Sequence, residues 1–441
     1  MKTKGVRIFG LGIAIFLSIN ILASYASETK IGSPAEWLLA RKVLMHTPED
    51  EIFWGVIHPA AALYEKPFNL QKAALEHRRF IEGLRNAGVT VYTVVETLLK
   101  GTTDENGNTI AGNELNELRN FAKQFLTIDR SRLPKALQFA QGKYKEETIT
   151  GLSPKELVRI ILLQPTLHLY PTRTNTGFRA TYELSPVMNL YFCRDQMITT
   201  ARGVVIGKMN SPQRAVETKI MKFVLMKLGI TPIYEVVGPG RLEGGDYFSA
   251  DDVAFIGQGL RTNSEGIRQL LRNKVFGLPK VAVVKDSWRT QEEMHLDTYF
   301  NIIGPKLAVL VDLRMNPRVN PSAGGINTRV DLYELRDGAY RLKMKDRDFQ
   351  EFLERDLGYK LIPVSREDQN LYGINFLTLR ANKIFAIDGV SEKYKELLKE
   401  NHIDVSWMDF SALTGGYGAA HCTTQVLYRE TETAEISRDS N

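Results

Sequence analysis

The stretch Thr414–Gln425, which reads TGGYGAAHCTTQ, joins a glycine-rich loop to a rare thiol. Its three glycines are Gly415, Gly416 and Gly418. Glycine allows a backbone to approach a ligand closely and to adopt positive φ angles. The thiol belongs to Cys422, and the apolar segment Val426–Tyr428 that follows is typical of a strand. Two roles are open for Cys422: a nucleophile presented by the loop, or a small buried apolar side chain.

Composition places the chain among globular proteins. Its 441 residues are 43% hydrophobic and 24% charged, which is typical of that class. The formal net charge is +6, and three of the positive charges, on Lys2, Lys4 and Arg7, lie near the N-terminus. No long basic cluster or basic series with interleaved aromatic residues is present. We therefore expect no nucleic-acid partner.

Residues 1–26 have the organisation of a secretory signal peptide. A basic start is followed by the apolar segment Ile8–Ala23, and Ser24–Ala26 offers small residues at the cleavage positions. The alternative is an uncleaved membrane anchor, but the apolar segment is short for a span and contains polar residues. The sequence therefore predicts an exported protein, periplasmic or secreted, without a membrane span after cleavage.

The chain has two cysteines, Cys193 and Cys422. Export favours disulfides, so a bridge between them is one possibility. A domain of this size can bury a sufficient core without such a crosslink. We therefore expect both thiols to be free.

Strand and helix patterns alternate along most of the chain. Apolar residues recur at helical spacing over Asn69–Ala87, Gly88 ends that helix, and Val89–Val95 has the composition of a buried strand. Similar short segments further along the chain predict an α/β protein made of small sheet-and-helix units. Residues 97–168 show helical patterns instead, which predicts an all-helical insertion within one catalytic domain spanning residues 27–441.

Two short segments place carboxylates next to apolar or glycine-rich stretches. Tyr191 and Phe192 read as the end of a strand, and Asp195 follows them. This carboxylate forms either a surface ion pair or a group that points into a pocket. In the segment EGGD, two glycines separate Glu243 from Asp246 and permit a tight turn. Glu243 could either belong to that turn or orient a neighbouring base.

A third segment contains His295 and Asp297. In a strand, these two side chains would point to the same face. They could hold a metal, act as a base and a substrate anchor, or form a hydrogen-bonded pair at the rim of a sheet. Metal binding is the competing hypothesis, since His421 and Cys422 are also ligand types. The chain has no HExxH motif, no paired CxxC motif and no closely spaced histidine pair. We therefore expect no metal and no other cofactor.

The combination of a thiol, an imidazole and several carboxylates indicates a type of substrate. Carboxylates near a thiol oppose its ionised form and favour a cation beside it. A guanidinium group is planar, permanently charged and matched to bidentate carboxylates. Its central carbon is open to attack by a thiolate. These properties point to guanidine chemistry with Cys422 as the nucleophile.

These motifs resemble those of the guanidine-modifying, or amidinotransferase, superfamily and in particular the arginine deiminase family. Four segments come in the family's order and at similar spacing: Pro186–Asp195, Glu243–Asp246, His295–Thr298 and Gly418–Cys422. The resemblance covers nearly all of the chain after the signal peptide. The predicted insertion at residues 97–168 is also similar to one in arginine deiminases.

The resemblance implies a fold and a set of catalytic roles. The fold is a five-bladed, pseudo-symmetric α/β propeller with the active site on its axis. Asp195 and Asp297 would grip the guanidinium nitrogens, and His295, held by Glu243, would protonate departing ammonia and then activate water. Cys422 would form a covalent intermediate that is hydrolysed to citrulline. These roles agree with general nucleophilic and acid–base chemistry.

The resemblance also implies substrate contacts, in which this chain departs from the family at several positions. Residues that match substrate contacts of the family are Arg214, Arg261, Asn189 and Phe192, of which the two arginines would bind the substrate α-carboxylate. Tyr417 and His421 stand where the family usually has arginines, and Cys193 stands where it commonly has threonine. These differences leave the identity of the guanidine substrate open.

The leading hypothesis is an exported hydrolase of arginine catabolism that converts L-arginine to citrulline and ammonia. Its partner is a small guanidine molecule, and a homo-oligomer is left open. Two alternatives within the enzyme class are an amidinotransferase and a deiminase of agmatine or peptidyl-arginine. A third alternative is a non-catalytic arginine-binding protein, which would not need a thiol.

Overall fold

Small three-stranded sheets recur along the chain, as the alternating sequence pattern predicts. The computed structural model describes residues 30–174, 176–315 and 328–431. In all six sheets of the described residues, two strands pair antiparallel, and one of the two also pairs in parallel with a third strand. A parallel pair needs a crossover connection, and at least one helix lies in each of these connections. The chain is therefore an α/β protein built from mixed sheets.

The strands fall into six sheets within the described residues. The first sheet contains β1 (Leu39–Met45), β2 (Thr90–Thr93) and β20 (Gln425–Glu430). The second contains β6 (Met197–Thr200), β7 (Gly203–Ile206) and β8 (Tyr234–Glu235). The third contains β9 (Tyr247–Ala250), β10 (Val253–Gln258) and β11 (Lys280–Lys285), extended by β14 (Arg329–Arg336) and β15 (Ala339–Asp348). The fourth contains β12 (Phe300–Gly304), β13 (Leu307–Val311) and β16 (Lys360–Val364). The fifth contains β17 (Leu377–Arg380), β18 (Lys383–Ile387) and β19 (Asp404–Met408). A sixth contains β3 (Thr127–Asp129), β4 (Thr166–Pro171) and β5 (Phe178–Glu183).

The α-helices connect these strands or form the insertion. The first six are α1 (Asp50–Ile57), α2 (Leu70–Asn86), α3 (Val94–Leu99), α4 (Asn113–Ala122), α5 (Lys135–Ala140) and α6 (Tyr144–Gly151). The others are α7 (Pro154–Leu163), α8 (Glu217–Lys227), α9 (Ser264–Arg272), α10 (Phe349–Glu351), α11 (Arg366–Asn370) and α12 (Glu392–Glu400). A π-helical turn, Phe352–Asp356, continues α10.

Local sequence signals account for several of these boundaries. The Asn69 side chain accepts a hydrogen bond from the Lys72 amide at 2.8 Å and caps α2. Ser153 and Glu156 form the capping box expected before α7. The predicted strand Val89–Val95 is too long, since β2 ends at Thr93, whose hydroxyl accepts from the Glu96 amide and begins α3.

The insertion is not wholly helical, in contrast to the prediction for residues 97–168. Helices α4 to α7 lie there, but so does the short strand β3, which pairs in parallel with β4 from Thr166 onward. Leu115, Leu118 and Leu157 belong to a separate hydrophobic core with residues of α8, such as Ile220. Burial of these side chains, at roughly 25 cal/mol per Å² of apolar surface, holds the insertion against the first strand units.

A buried arginine fixes the C-terminal strand to the start of the chain. Arg429 in β20 donates to a Glu36 carboxylate oxygen at 2.6 Å and to the Leu38 and Thr378 carbonyls at 2.7 and 2.8 Å. Arg429 and Glu36 are both buried. Strand β20 also pairs antiparallel with β1. The residues just before β20, which include Cys422, are therefore held on a rigid element.

The described residues exclude one predicted segment and, from Ile31 onward, belong to one compact unit. The predicted signal peptide, residues 1–26, lies outside the described residues. Residues Ile31–Asn441 form one compact unit. Within the described part of the chain, no helix has both the length and the apolar character needed to cross a bilayer.

We expect Glu36→Gln to lower the free energy of unfolding by about 3 kcal/mol, because it leaves the buried Arg429 cation without a counter-charge. Chemical denaturation followed by circular dichroism measures this change. Asp404→Asn is the control, since the Asp404 side chain is 60% exposed and forms a surface pair with Lys383. That variant is expected to lose less than about 1 kcal/mol. Equal losses in the two variants would contradict the role assigned to Arg429.

Candidate active site

The glycine-rich loop holds Cys422 in a buried position just before β20. A 3-10 turn spans Leu413–Gly416, and Cys422 is only 5% exposed. A Cβ atom at Gly416 would lie 1.7 Å from the Tyr191 hydroxyl oxygen, so only glycine allows this close approach. The positive φ expected at the glycines occurs instead at Tyr417, where φ is 72°. The loop glycines therefore permit close packing of neighbouring side chains.

A carboxylate from α2 anchors the beginning of this loop. The buried Glu76 side chain accepts hydrogen bonds from the Ala412 amide at 3.1 Å and from the Leu413 amide at 2.9 Å. These amides would otherwise be buried without partners, at a cost of about 1–3 kcal/mol each. Glu76 thus fixes the backbone of the loop that leads to Cys422.

Asp297 lies beside the thiol and is held by His421. One carboxylate oxygen, Oδ2, is 2.7 Å from His421 Nδ1 and 3.6 Å from Cys422 Sγ. Burial lowers the pKa of His421, assisted by the nearby positive charge of Arg194. Burial opposes ionisation of Asp297, but the hydrogen bond from His421 together with the positive charges of His295 and Arg194 outweighs it and lowers the pKa of Asp297. The pair is therefore a neutral imidazole that donates to an ionised carboxylate.

His295 and Asp297 form hydrogen bonds with different partners. These residues do not form the strand in which both side chains would share a face: Leu296–Thr298 is a 3-10 turn, closed by a 2.7 Å hydrogen bond from the Thr298 hydroxyl to the His295 carbonyl. The turn directs His295 Nε2 to Glu243 Oε2 at 3.0 Å. A Cβ atom at Gly245 would lie 2.6 Å from His295 Nδ1, so this glycine allows the imidazole to pack against the EGGD turn.

Carboxylates around His295 favour its protonated form. Burial opposes the charge, but Asp195, Glu243 and Asp246 outweigh it and raise the pKa of His295 to about 9. In turn, the hydrogen bond and charge of His295 lower the pKa of Glu243 to about 2 against the effect of burial. His295 is therefore an imidazolium at neutral pH and can donate a proton.

Asp195 is fixed by a buried arginine. Arg214 Nη1 donates to Asp195 Oδ2 at 2.7 Å, and the remaining guanidinium nitrogens donate to Glu217 at 2.9–3.1 Å and to the Asn189 carbonyl at 3.3 Å. The other oxygen, Asp195 Oδ1, is 3.8 Å from His295 Nδ1. Arg214 therefore orients the carboxylate that the sequence assigned to guanidinium binding.

One pocket brings together most of the predicted site residues. Its lining includes the three catalytic candidates Cys422, His295 and Asp195. It also includes the four predicted substrate contacts: Asn189, Phe192, Arg214 and Arg261. Glu243 and Asp297 contact this group from behind the lining, through the hydrogen bonds to His295 and the approach to Cys422. Arg261 Nη2 donates to Gln291 at 2.8 Å, while its Nε has no hydrogen-bond partner among the described residues.

Several carboxylate oxygens of the described residues are buried without a hydrogen-bond partner, and two of them belong to the residues whose charges act on Cys422: Asp195 Oδ1 and Asp297 Oδ1. In each residue the second oxygen already accepts a hydrogen bond, from Arg214 or from His421. Leaving a buried charged acceptor unpaired is costly. The arrangement can therefore bind a cation that offers N–H groups in two directions beside Cys422.

The same charges suppress ionisation of the thiol. Burial raises the pKa of Cys422 well above its usual value, and the nearby Asp297 and Asp195 charges raise it further. Cys193 is also a free thiol, but it is fully buried in the second hydrophobic core. Cys422 is thus the thiol that faces the pocket, and it needs added positive charge to become a thiolate.

A metal ion is the other cation to consider. Ligand atoms of Asp195, Glu243 and His295 all lie within 4.8 Å of one another. However, Arg214 already places a guanidinium 2.7 Å from Asp195 and 3.9 Å from Glu243. His295 favours its protonated form here, and an imidazolium cannot act as a ligand. The residues therefore suit proton transfer better than metal coordination.

Three residues that contribute to the site were not singled out from the sequence. Asn375 donates to Cys422 Sγ at 3.1 Å, and Glu217 binds the Arg214 guanidinium. Arg194 donates from Nε to the His421 carbonyl at 3.3 Å. The i, i+3 spacing of Arg214 and Glu217 on a helical turn is a signal for their pairing. Asn375 reaches the thiol only through tertiary structure.

Comparisons with known proteins agree with this geometry. The family model described as arginine deiminase matches residues 61–429. The arginine deiminase of Halobacterium salinarum is 24% identical, over 93% of this chain and 99% of that protein. Arginine deiminase 1 of Staphylococcus epidermidis is 25% identical, over 85% of this chain and 92% of its own length.

Two solved structures have a similar fold. The N-terminal domain of ArgZ, a cyanobacterial arginine dihydrolase bound to its product, has a TM-score of 0.52 at 13% identity, over 88% of this chain and 97% of that domain. Pseudomonas aeruginosa DDAH in complex with citrulline has a TM-score of 0.50 at 14% identity, over 88% and 99% of the two chains. At these identities the likeness concerns the α/β fold. The match over residues 61–429 shows that this chain belongs to the arginine deiminase family.

Proposed function

We propose that this protein is an exported hydrolase that converts L-arginine to citrulline and ammonia through a covalent intermediate on Cys422. Its family makes it a hydrolase that acts on a guanidino C–N bond. The observation that carries the finer proposal is the pair of unpartnered oxygens, Asp195 Oδ1 and Asp297 Oδ1, near a thiol. A guanidinium group supplies the matching N–H donors and the missing positive charge. Export rests on the sequence of residues 1–26 alone.

Substrate binding activates the nucleophile in this mechanism. The guanidinium binds between Asp195 and Asp297 and neutralises the charges that raise the pKa of Cys422. The thiol then gives its proton to solvent water, and the thiolate attacks the central guanidinium carbon to form a C–S bond. Because the bound cation lowers the pKa of the thiol, the free enzyme holds little thiolate and reacts slowly with other electrophiles.

His295 supplies and then removes a proton in the two halves of the reaction. Its imidazolium protonates the departing amino group, and the C–N bond breaks to release ammonia. Neutral His295 then accepts a proton from water, which attacks the same carbon. The C–S bond breaks, the proton of the added hydroxyl group passes to solvent, and citrulline leaves. The Cys422 thiolate then takes up a proton from solvent. Glu243 keeps the imidazole oriented through its 3.0 Å hydrogen bond.

The substrate's amino-acid end would be held by the predicted arginines. Arg261 is the better donor, because its Nε has no partner among the described residues. Arg214 is engaged by Asp195 and Glu217 and contributes mainly by orienting Asp195. Asn189 and Phe192 line the same pocket. Apart from the sheet β3–β5, which includes part of the insertion, five sheets share one pairing pattern, and they support the proposal of five blades around an axis that carries this site.

A second substrate class is favoured by a neighbouring chamber. This chamber has a volume of about 450 Å³ and shares Thr298 and Tyr417 with the catalytic pocket. Most of its other lining residues are polar, including Glu65, Glu292 and Arg366. Tyr417 stands where the family resemblance implies an arginine. The chamber could therefore accept the rest of a larger guanidine compound, such as a peptide that contains arginine.

A substrate panel tests the proposed reaction and its substrate class. We expect ammonia and citrulline from L-arginine, with agmatine and an Nα-acyl-arginine amide measured in parallel under reducing conditions. Preference for the acyl amide would favour the larger-substrate hypothesis, because its extension fits the chamber. Appearance of a new guanidino product when an amine is added would indicate amidino transfer. Absence of turnover on every guanidine would contradict the enzyme assignment.

Replacement of the nucleophile should separate binding from chemistry. We expect Cys422→Ser to lower kcat by about 10³-fold or more, because the hydroxyl is a much weaker nucleophile. Isothermal titration calorimetry should still detect arginine binding, since the carboxylates remain. Cys193→Ala is the matched control, because that thiol lies in the hydrophobic core, and it should retain most of the activity. Full activity of Cys422→Ser would refute the nucleophile assignment.

The protonation state of His295 should control the alkaline side of the pH profile. We expect kcat/KM to fall as pH rises through about 9, because the general acid then loses its proton. Glu243→Gln removes one carboxylate that raises this pKa, so the fall should begin at a lower pH. An alkaline limb that stays in place in Glu243→Gln would contradict the assignment of His295 as the acid.

A further inference from the structure

Asn375 is a buried amide that contacts the thiol and the loop around it. Its Nδ2 lies 3.1 Å from Cys422 Sγ and 3.4 Å from the Asp297 carbonyl. Its Oδ1 accepts hydrogen bonds from the Ala419 amide at 2.9 Å and from the Cys422 amide at 3.2 Å. Its backbone carbonyl accepts from the His421 amide at 3.1 Å. One residue thus binds three of the four positions from 419 to 422.

These contacts determine which end of the amide faces the sulfur. The Ala419 and Cys422 amides are donors, so the end that they meet must be the carbonyl oxygen. The other end is the NH₂ group, and it must point to Cys422 Sγ. Asn375 is 4% exposed, so water does not compete freely for this contact.

The direction of this hydrogen bond matters because other groups near the sulfur oppose a thiolate. Asp297 and Asp195 are the nearest negative charges, and Tyr191 and Tyr372 present neutral hydroxyl-bearing rings. His295 lines the same pocket as an imidazolium. An amide N–H donates more strongly to a thiolate than to a thiol, and it adds no net charge that would repel the guanidinium.

We propose that Asn375 is a further catalytic residue, which stabilises the Cys422 thiolate by donating a hydrogen bond to its sulfur. This inference rests on the proposed function only where it takes Cys422 as the nucleophile. The reactivity of the Cys422 thiol tests the role of Asn375 without any turnover. Failure of this inference can therefore be distinguished from failure of the proposed reaction.

The sharpest variant is Asn375→Asp. A carboxylate of the same shape can still accept from the Ala419 and Cys422 amides, and those two donors favour its ionised form. Its second oxygen would then face the sulfur in place of a donor. We expect the rate of Cys422 alkylation by iodoacetamide at pH 8.5, followed by mass spectrometry of the Cys422 peptide, to fall about tenfold or more. kcat/KM for arginine should fall by at least a similar factor.

A second variant and a matched control separate this role from a purely structural one. In Asn375→Ala, the pH profile of alkylation should move to higher pH, whatever the change in access to the thiol. Asn301 is also buried, and its Nδ2 donates to the Ile374 and Phe376 carbonyls at 2.8 and 2.9 Å on either side of Asn375. Asn301→Ala should therefore lower the Tm but leave the alkylation profile in place. The inference is overturned if Asn375→Asp alkylates within about twofold of the natural protein, or if Asn301→Ala moves the profile as far as Asn375→Ala does.

Discussion

Three buried carboxylates surround one side of the pocket, and their negative charge determines what can bind beside the thiol. Arg214 compensates Asp195, and the imidazolium of His295 compensates Glu243. Asp297 receives a neutral N–H group from His421. Buried charge without a partner is costly, so the free oxygens of Asp195 and Asp297 favour a cation with several N–H donors. The rest of the site is arranged around that requirement.

The same charge also restrains the nucleophile. A thiol next to Asp297 and Asp195 remains protonated until a cation arrives, and the substrate is that cation in the proposed reaction. Asn375 acts in the opposite direction, because it offers the sulfur a donor and no net charge. The protein thereby combines strong attraction for guanidinium with a thiol that reacts slowly when no guanidinium is bound.

Part of this arrangement could be predicted from residue types. A thiol, an imidazole and several carboxylates indicated guanidine chemistry, and the pocket does bring Cys422, His295 and Asp195 together. The relation of His295 to Asp297 could not be predicted, because alternation along a strand gave no sign of the 3-10 turn at Leu296–Thr298. Asn375 was missed because its contacts with the loop are entirely tertiary.

The fold was predictable in class and less so in detail. Helical periodicity and capping residues located α2 and α7, while the short strand β3 inside the predicted helical insertion depends on its partner β4. The first sheet was difficult to recognise because it joins the two ends of the chain, β1 and β20. That pairing is also what holds Cys422 in place, since the nucleophile immediately precedes the C-terminal strand.

Identification of the covalent intermediate tests this account most directly. Enzyme mixed with excess arginine and quenched in acid within one turnover can be digested and analysed by mass spectrometry. The account predicts a transient adduct on the Cys422 peptide, with the mass of arginine minus ammonia, and no adduct on the Cys193 peptide. Formation of citrulline with no adduct on Cys422 at any quench time would contradict it.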